Sequence, residues 1–312
     1  MSRYDASIAI TTHNRKEILP ECIDSCLAQS LGERLQIVVV DDGSSDGTSE
    51  FLAERYGDVP NIKLDSMHPG IGLIAERSRF ADLVDSPVII SIDDDAVFPS
   101  PNTVEQTLAQ MEDDRVGAVA IPYIDVLKDD KSVRQRAPDD SATWVTSQYR
   151  GTAHALRVDL FEKAGRYRGQ LWRQNEETDL CVRLLDAGGF VALGTADPIH
   201  HMESPKRSKP EIFRYSVRNS LWVSWWNVPM PWLVPQIAVS TWNYGRLAVL
   251  KPRRFMPTVH GYWQAWAGIV GSERRNRAPV SPEAFRTFLK LRRGKPMAID
   301  EAARLLECGG NA

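Results

Sequence analysis

The stretch Val88-Ile-Ile-Ser-Ile-Asp93-Asp94-Asp95-Ala96 runs a mostly β-branched segment straight into three carboxylates. Adjacent carboxylates repel and raise one another's pKa unless a cation neutralises them. Side chains alternate along an extended chain, so Asp93 and Asp95 point one way and Asp94 the other. Such a pair suits Mg²⁺ or Mn²⁺, which takes one or two carboxylates together with substrate phosphates. A solvated acidic turn is the plain alternative, and the position at the end of a buried strand favours the metal site. A second acidic pair, Glu176-Glu177, opens a helical stretch. By itself it reads as an acidic N-terminus favoured by the macrodipole. Asp41-Asp42 ends another apolar run and reads as turn and cap chemistry.

These groups need a scaffold, and the hydrophobic periodicity supplies one. Ser7–Thr11, Gln36–Val40, Asn61–Leu64 and Val88–Asp93 read as strands. Helices are expected over Lys16–Ser30, Thr48–Tyr56 and Leu73–Val84 between them. Pro20 is tolerated only in a first helical turn. This alternation implies a doubly wound, mostly parallel α/β sheet flanked by helices. Ligands of such sheets bind outside the carboxyl ends of the strands, where the aspartates sit. Further on, Thr103–Met111 reads as helix, Val116–Ile121 as strand and Lys128–Ala142 as a polar mobile loop. Gly151–Leu156 is a strand, Arg166–Asn175 a loop containing Trp172, and Glu176–Ala187 a helix stopped by Gly188-Gly189. Phe190–Leu193 and Asp197–His201 are extended.

Charge is unevenly distributed. The net charge is -3, yet residues 205–295 hold 17 Lys/Arg against 3 Asp/Glu. Seven of the nine tryptophans lie between Trp222 and Trp266. The simplest division is an acidic, catalytic domain over 1–204, with 1–100 and 101–204 as its halves, and a basic, Trp-rich, C-terminal helical tail over 205–312. No charge occurs from Asn219 to Gly245, but Pro229, Pro231 and Pro235 argue against a spanning helix. Aromatic and basic residues together suit an anionic membrane surface; a helical subdomain with tryptophans in its core is the competing expectation. Nucleic acid is not an expected partner, because no binding module for it is present. Cys22, Cys26, Cys181 and Cys308 show no zinc or CxxC spacing, and Cys22 and Cys26 read as small core residues. With no apolar signal segment in Met1-Ser-Arg-Tyr-Asp, the expected location is cytoplasmic, peripheral on the inner face of the plasma membrane.

Four stretches occur in order: Ile10-Thr-Thr-His-Asn-Arg15, Val40-Asp-Asp-Gly-Ser44, Ile92-Asp-Asp-Asp-Ala96 and Glu176-Glu-Thr-Asp-Leu-Cys-Val-Arg183. The set resembles the family-2 glycosyltransferases of GT-A fold, including rhamnosyltransferase-like members, over about residues 5–220. The resemblance implies a metal-dependent, inverting transfer from a nucleoside-diphosphate sugar to a glycan or lipid-linked acceptor. By that resemblance Thr11 and Asp42 contact the base, with Arg15 and Asp41 beside them. Asp93, Asp94 and Asp95 match the DxD-like motif, with Asp93 at the ribose or metal and Asp95 on the metal. Gly72 and Arg77 match an Asn-x-Gly…Ala-Arg-Asn pattern whose two asparagines are here Gly70 and Ser78. Glu177 matches the catalytic base, where this chain has glutamate for the family's aspartate, and Glu176 stays a rival. His201 in His201-Met-Glu-Ser204 matches a metal-binding histidine, with His200 turned away. Tyr149–Arg157, which includes His154, matches the acceptor floor, and Trp172 is placed to stack on an acceptor sugar. Asp179 and Arg183, an i,i+4 pair, read as structural. Two rival functions remain: a non-catalytic sugar-nucleotide-binding protein on a degenerate transferase, and a sugar-nucleotide pyrophosphorylase, whose Gly-rich motif with Arg and Lys is missing after the first strand.

Overall fold

A computed structural model of the chain describes residues 2–202 and 209–307. Cys308 and Ser204, both named above, lie outside the described residues. The strands are β1 (Ala6–Thr12), β2 (Leu35–Asp41), β3 (Ile62–Ser66), β4 (Val88–Asp93), β5 (Ala96–Val97), β6 (Val116–Ala120), β7 (Tyr123–Asp125), β8 (Asp129–Arg134), β9 (Trp144–Thr146), β10 (Ala153–Arg157), β11 (Phe190–Leu193), β12 (Ile199–His201) and β13 (Met297–Ala298). Nine of them form one sheet in the order β13-β9-β11-β6-β10-β4-β1-β2-β3. Its β4-β1-β2-β3 half is parallel throughout. Every residue of β1 and β2 is buried, which is why both read as continuous apolar runs rather than alternating ones. In the other half β10 runs antiparallel between β4 and β6.

Register decides what the site contains. Thr11 lies opposite Asp93, and Thr12 opposite Asp41, so three strand ends meet at one edge. A second sheet, β5-β12-β7-β8, sits beyond β4. There His201 pairs with Ala96 on one side and Asp125 on the other. This small sheet carries a histidine and a distant acid to the aspartates.

Three sequence expectations need correction. The stretch Lys128–Ala142 is not all loop, because Asp129–Arg134 forms β8. Its residues are mostly exposed at a sheet edge, and an edge strand carries the polar composition that otherwise marks a loop. The first helix begins at Leu19 rather than Lys16, with Pro20 in its first turn as required. The tail is not wholly helical, since Met297–Ala298 returns to the main sheet as β13, antiparallel to β9.

The tail helices span Lys209–Asn227, Leu233–Leu250, Phe255–Val270, Pro282–Arg293 and Ile299–Glu307. Val228, Leu233, Phe285 and Ile299 belong to the same buried cluster as Val145, Val182 and Phe190. Trp222 and Trp226 pack together with ring centroids 5.7 Å apart. Among the described residues no helix is long and apolar enough to cross a membrane. Cys22, Cys26 and Cys181 are buried free thiols.

A polar clamp fixes the tail to the catalytic half. Asp179, fully buried on helix Glu176–Asp186, receives Arg183 at 2.6 Å, Arg168 at 2.9 Å and the Asn227 amide at 2.7 Å. Asn227 ends the first tail helix and also accepts from Arg168 at 3.1 Å. Asn227→Ala would leave buried charged groups short of a partner. We expect a loss of about 1–3 kcal/mol in unfolding free energy, read by chemical denaturation; an unchanged midpoint would show that the clamp contributes nothing.

Candidate active site

At the carboxyl end of β4 the chain turns, and its acids separate as alternation requires. Asp93 and Asp95 converge on His201, whose Nε2 lies 3.6 Å from Asp93 Oδ2 and 3.3 Å from Asp95 Oδ1. The three residues can bring one ligand atom each within 4.8 Å of one another. Asp95 and His201 are buried and Asp93 is half-buried. Asp94 turns the other way, where Thr12 Oγ1 donates to its Oδ2 at 2.9 Å. Burial pushes the Asp94 carboxyl up to about 6, against the pull of Thr12 and nearby Arg15.

The donor set fits a divalent cation. Two carboxylates and an imidazole nitrogen suit Mg²⁺ less tightly than Mn²⁺, which accepts imidazole more readily. Asp125 Oδ1 sits 2.7 Å from His201 Nδ1. With the proton assigned to Nδ1, Nε2 presents its lone pair to the two aspartates, the usual support for a ligating histidine. Burial lowers the His201 pKa, but Asp95 and Asp125 outweigh it and hold the ring more basic than usual. Sequence reasoning missed Asp125, because Tyr123-Ile-Asp125 carries no motif and only the β7–β12 pairing brings it to His201. Asp125→Asn should weaken Mn²⁺ affinity roughly 10–100-fold. Calorimetry of Mn²⁺ alone reads this, and an unaltered affinity would leave Asp125 without a part in the centre.

Beside this centre three loops close on one another. Thr11 is buried, and its hydroxyl has no hydrogen-bond partner among the described residues. The Asp42 carboxylate accepts from the backbone N–H of Ile71 at 2.6 Å and of Gly72 at 3.0 Å. It therefore holds the 70–72 loop in place. Asp41, expected beside the base contacts, is held by its own loop. It is buried, its Oδ1 accepts from the Ser44 N–H at 3.0 Å, and its Oδ2 accepts from the Ser49 hydroxyl. It shapes the loop rather than facing outward. Gly72 has φ +93°, and a Cβ there would come within 2.7 Å of the Trp172 ring. Trp172, half-exposed, thus lies against the nucleotide-side loop at the lip of the cleft.

The cleft itself has a volume of about 300 Å³ and is lined by Arg77, Asp93, Arg150, Arg173, Glu176 and Glu177 among others. Arg77 is buried rather than solvated, and its Nη2 donates to Asp93 Oδ1 at 2.5 Å. The Gly151 N–H donates to Glu177 Oε1 at 2.9 Å. Burial raises the Glu177 pKa. Burial, then the charge of Glu177, pushes Glu176 up to about 8. The two glutamates therefore share a site where at least one holds its proton more tightly than an ordinary carboxyl.

His154 is a correction. It is fully buried, stacked on Tyr149 with centroids 4.1 Å apart, and its Nε2 meets the Tyr167 hydroxyl at 2.9 Å. Its strand lies in mid-sheet between β4 and β6, and its side chain packs against Tyr149 and Tyr167 instead of lining the cleft. Burial holds its pKa well below the usual histidine range.

Comparison with known proteins follows from this geometry. Residues 7–174, more than half of the chain, match the family model described as Glycosyl transferase family 2. The chain is 24% identical over 254 residues to the glucosyl-dolichyl phosphate glucuronosyltransferase of Haloferax volcanii, covering 74% of this chain and 78% of that protein. Among solved structures it is similar to TarS 1-349 of S. aureus in complex with UDP-GlcNAc, with TM-score 0.64, 15% identity and coverage of 98% and 91% of the two chains. It is also similar to the mannosyltransferase PcManGT of Pyrobaculum calidifontis in complex with GDP-Man and Mn²⁺, with TM-score 0.57, 17% identity and coverage of 86% and 88%. These likenesses show the GT-A fold.

Proposed function

The chain belongs to glycosyl transferase family 2, and from that premise we propose that it moves a sugar from a nucleoside-diphosphate sugar to a hydroxyl of a glycan or lipid-linked acceptor. The reaction is metal-dependent and inverting. The observation that carries this reading is one cleft in which Glu176 and Glu177 face Asp93, with Arg77 against that aspartate.

Each group then has a task. Asp93, Asp95 and His201 would hold Mg²⁺ or Mn²⁺, which supplies positive charge to a diphosphate leaving group. Arg77 keeps Asp93 in place and adds a second cationic group beside the phosphates. Thr11, Arg15, Asp42, Asp94 and Gly72 frame the nucleotide from the loops of the 1–100 half. Glu177, fixed by the Gly151 N–H, takes the proton of the acceptor hydroxyl as it attacks the anomeric carbon, with Glu176 as the rival base. One base and one displacement invert the anomeric centre, and no carboxylic acid is needed to protonate a metal-bound diphosphate. Trp172 at the lip offers a stacking face for an acceptor sugar.

The name of the Haloferax relative describes a lipid-phosphate-linked acceptor, which supports a lipid-linked acceptor here; a peripheral position on the inner face of the plasma membrane belongs to the same proposal. The test is incubation with UDP-, dTDP- and GDP-sugars and Mn²⁺, following nucleoside diphosphate release. Slow release with one donor class supports the reading. Tight donor binding with no release under any acceptor condition would make this a binding protein instead.

A further inference from the structure

The tail carries two grooves that share no lining residue with the cleft. One, of about 740 Å³, lies between helices Leu233–Leu250 and Phe255–Val270 and is lined by Trp242, Val249, Leu250, Phe255, Val259 and Tyr262. The other, also about 740 Å³, is lined by Phe213 of the first tail helix and by Lys251, Arg253 and Arg254 of the turn joining those two helices. Arg254 stands 4.6 Å over the Phe213 ring, which holds its charge at that groove. The same helix pair exposes large apolar side chains, Val249 at 77% and Trp242 at 72% in the groove and Trp263 at 70% beside it. Apolar surface on this scale marks an interaction site rather than ordinary surface.

The charges choose the occupant. From Ile212 to Ser272 there is no acidic residue, while Arg246, Lys251, Arg253 and Arg254 line the two grooves as cations. A second copy packed on this face would set those cations against their own kind. A neutral apolar partner would leave them without counter-charge. We propose that the paired helices 233–250 and 255–270 dock on an anionic lipid bilayer, with the apolar groove and its tryptophans among the acyl chains and the 251–254 turn at the phosphates. Tryptophan at the interface and lysine or arginine at the headgroups is the arrangement such surfaces favour. The tryptophan cluster thus divides: Trp222 and Trp226 pack the tail onto itself, while Trp242 and Trp263 face outward. Docking needs no sugar nucleotide, and only its link to a lipid-linked acceptor rests on the function proposed above.

The full-length protein is sedimented with phosphatidylglycerol and with phosphatidylcholine vesicles at low and high salt, with no donor present. Binding to the anionic vesicles at low salt, weakened by salt, is the expected result. Trp242→Ser with Trp263→Ser, and Lys251→Glu with Arg253→Glu, alter exposed side chains and should keep the thermal melt of the parent. Each pair should weaken vesicle binding at least about tenfold. Protein left in the supernatant with anionic vesicles, or binding untouched by both pairs, overturns the proposal. So does concentration-dependent dimerisation in sedimentation velocity that the same substitutions abolish, which would assign the face to a second copy.

Discussion

Glu177→Gln is expected to slow transfer by roughly 10²–10⁴-fold, the usual range for a general base, while donor affinity is retained. The amide is nearly isosteric, and its oxygen can still accept from the Gly151 N–H that positions Glu177, so the cleft keeps its shape and loses only its proton acceptor. Glu176→Gln should cost less in rate. It should also change the pH profile. The base must be ionised, and the pair is held protonated above the ordinary carboxyl range, with Glu176 pushed up to about 8 by burial and by its neighbour. Transfer should therefore rise with pH through the deprotonation of the pair, which titrates as a unit. Removing the charge at position 176 removes one like-charge neighbour, so the acid limb should move to lower pH. Nucleoside diphosphate release against pH, with donor calorimetry on each variant, reads all three effects. A larger rate loss in Glu176→Gln than in Glu177→Gln would give the base to Glu176.

Chelation of divalent cations should weaken nucleoside diphosphate binding by roughly 10²-fold, about 3 kcal/mol. Without a cation, Asp93 and Asp95 meet the diphosphate as like charges, and Arg77 alone, already paired to Asp93 at 2.5 Å, cannot offset them. Asp95→Ala and His201→Ala should reproduce the loss at saturating Mn²⁺. His200→Ala is the control, since it neighbours the centre in sequence while alternation turns its side chain away. Calorimetry with and without EDTA is the measurement, and equal affinity in the two conditions removes the metal centre from the donor site.

Reading the chain alone recovered the order and type of most elements of the first 200 residues. Hydrophobic periodicity is a local property, and buried parallel strands such as β1 and β2 write it without interruption. Alternation is equally local, and it correctly separated Asp94 from Asp93 and Asp95. The i,i+4 pairing of Asp179 with Arg183 was likewise available from spacing.

Other features are set by which distant segments lie side by side, and no local pattern encodes that. Asp125 reaches His201 from 76 residues away because β7 and β12 are neighbours in a sheet of very short strands. His154 sits in a stretch matching an acceptor floor, but its strand occupies mid-sheet, where its face meets Tyr149 and Tyr167 rather than solvent. Asn227 joins Asp179 across 48 residues. The tail's tryptophans are alike in sequence, and only helix packing separates the buried Trp226 from the exposed Trp242. Composition determined that a basic, aromatic segment exists. The tertiary fold decided which of its faces is core and which is left to meet a partner, because burial depends on the neighbour opposite each side chain and not on the residues beside it in the chain.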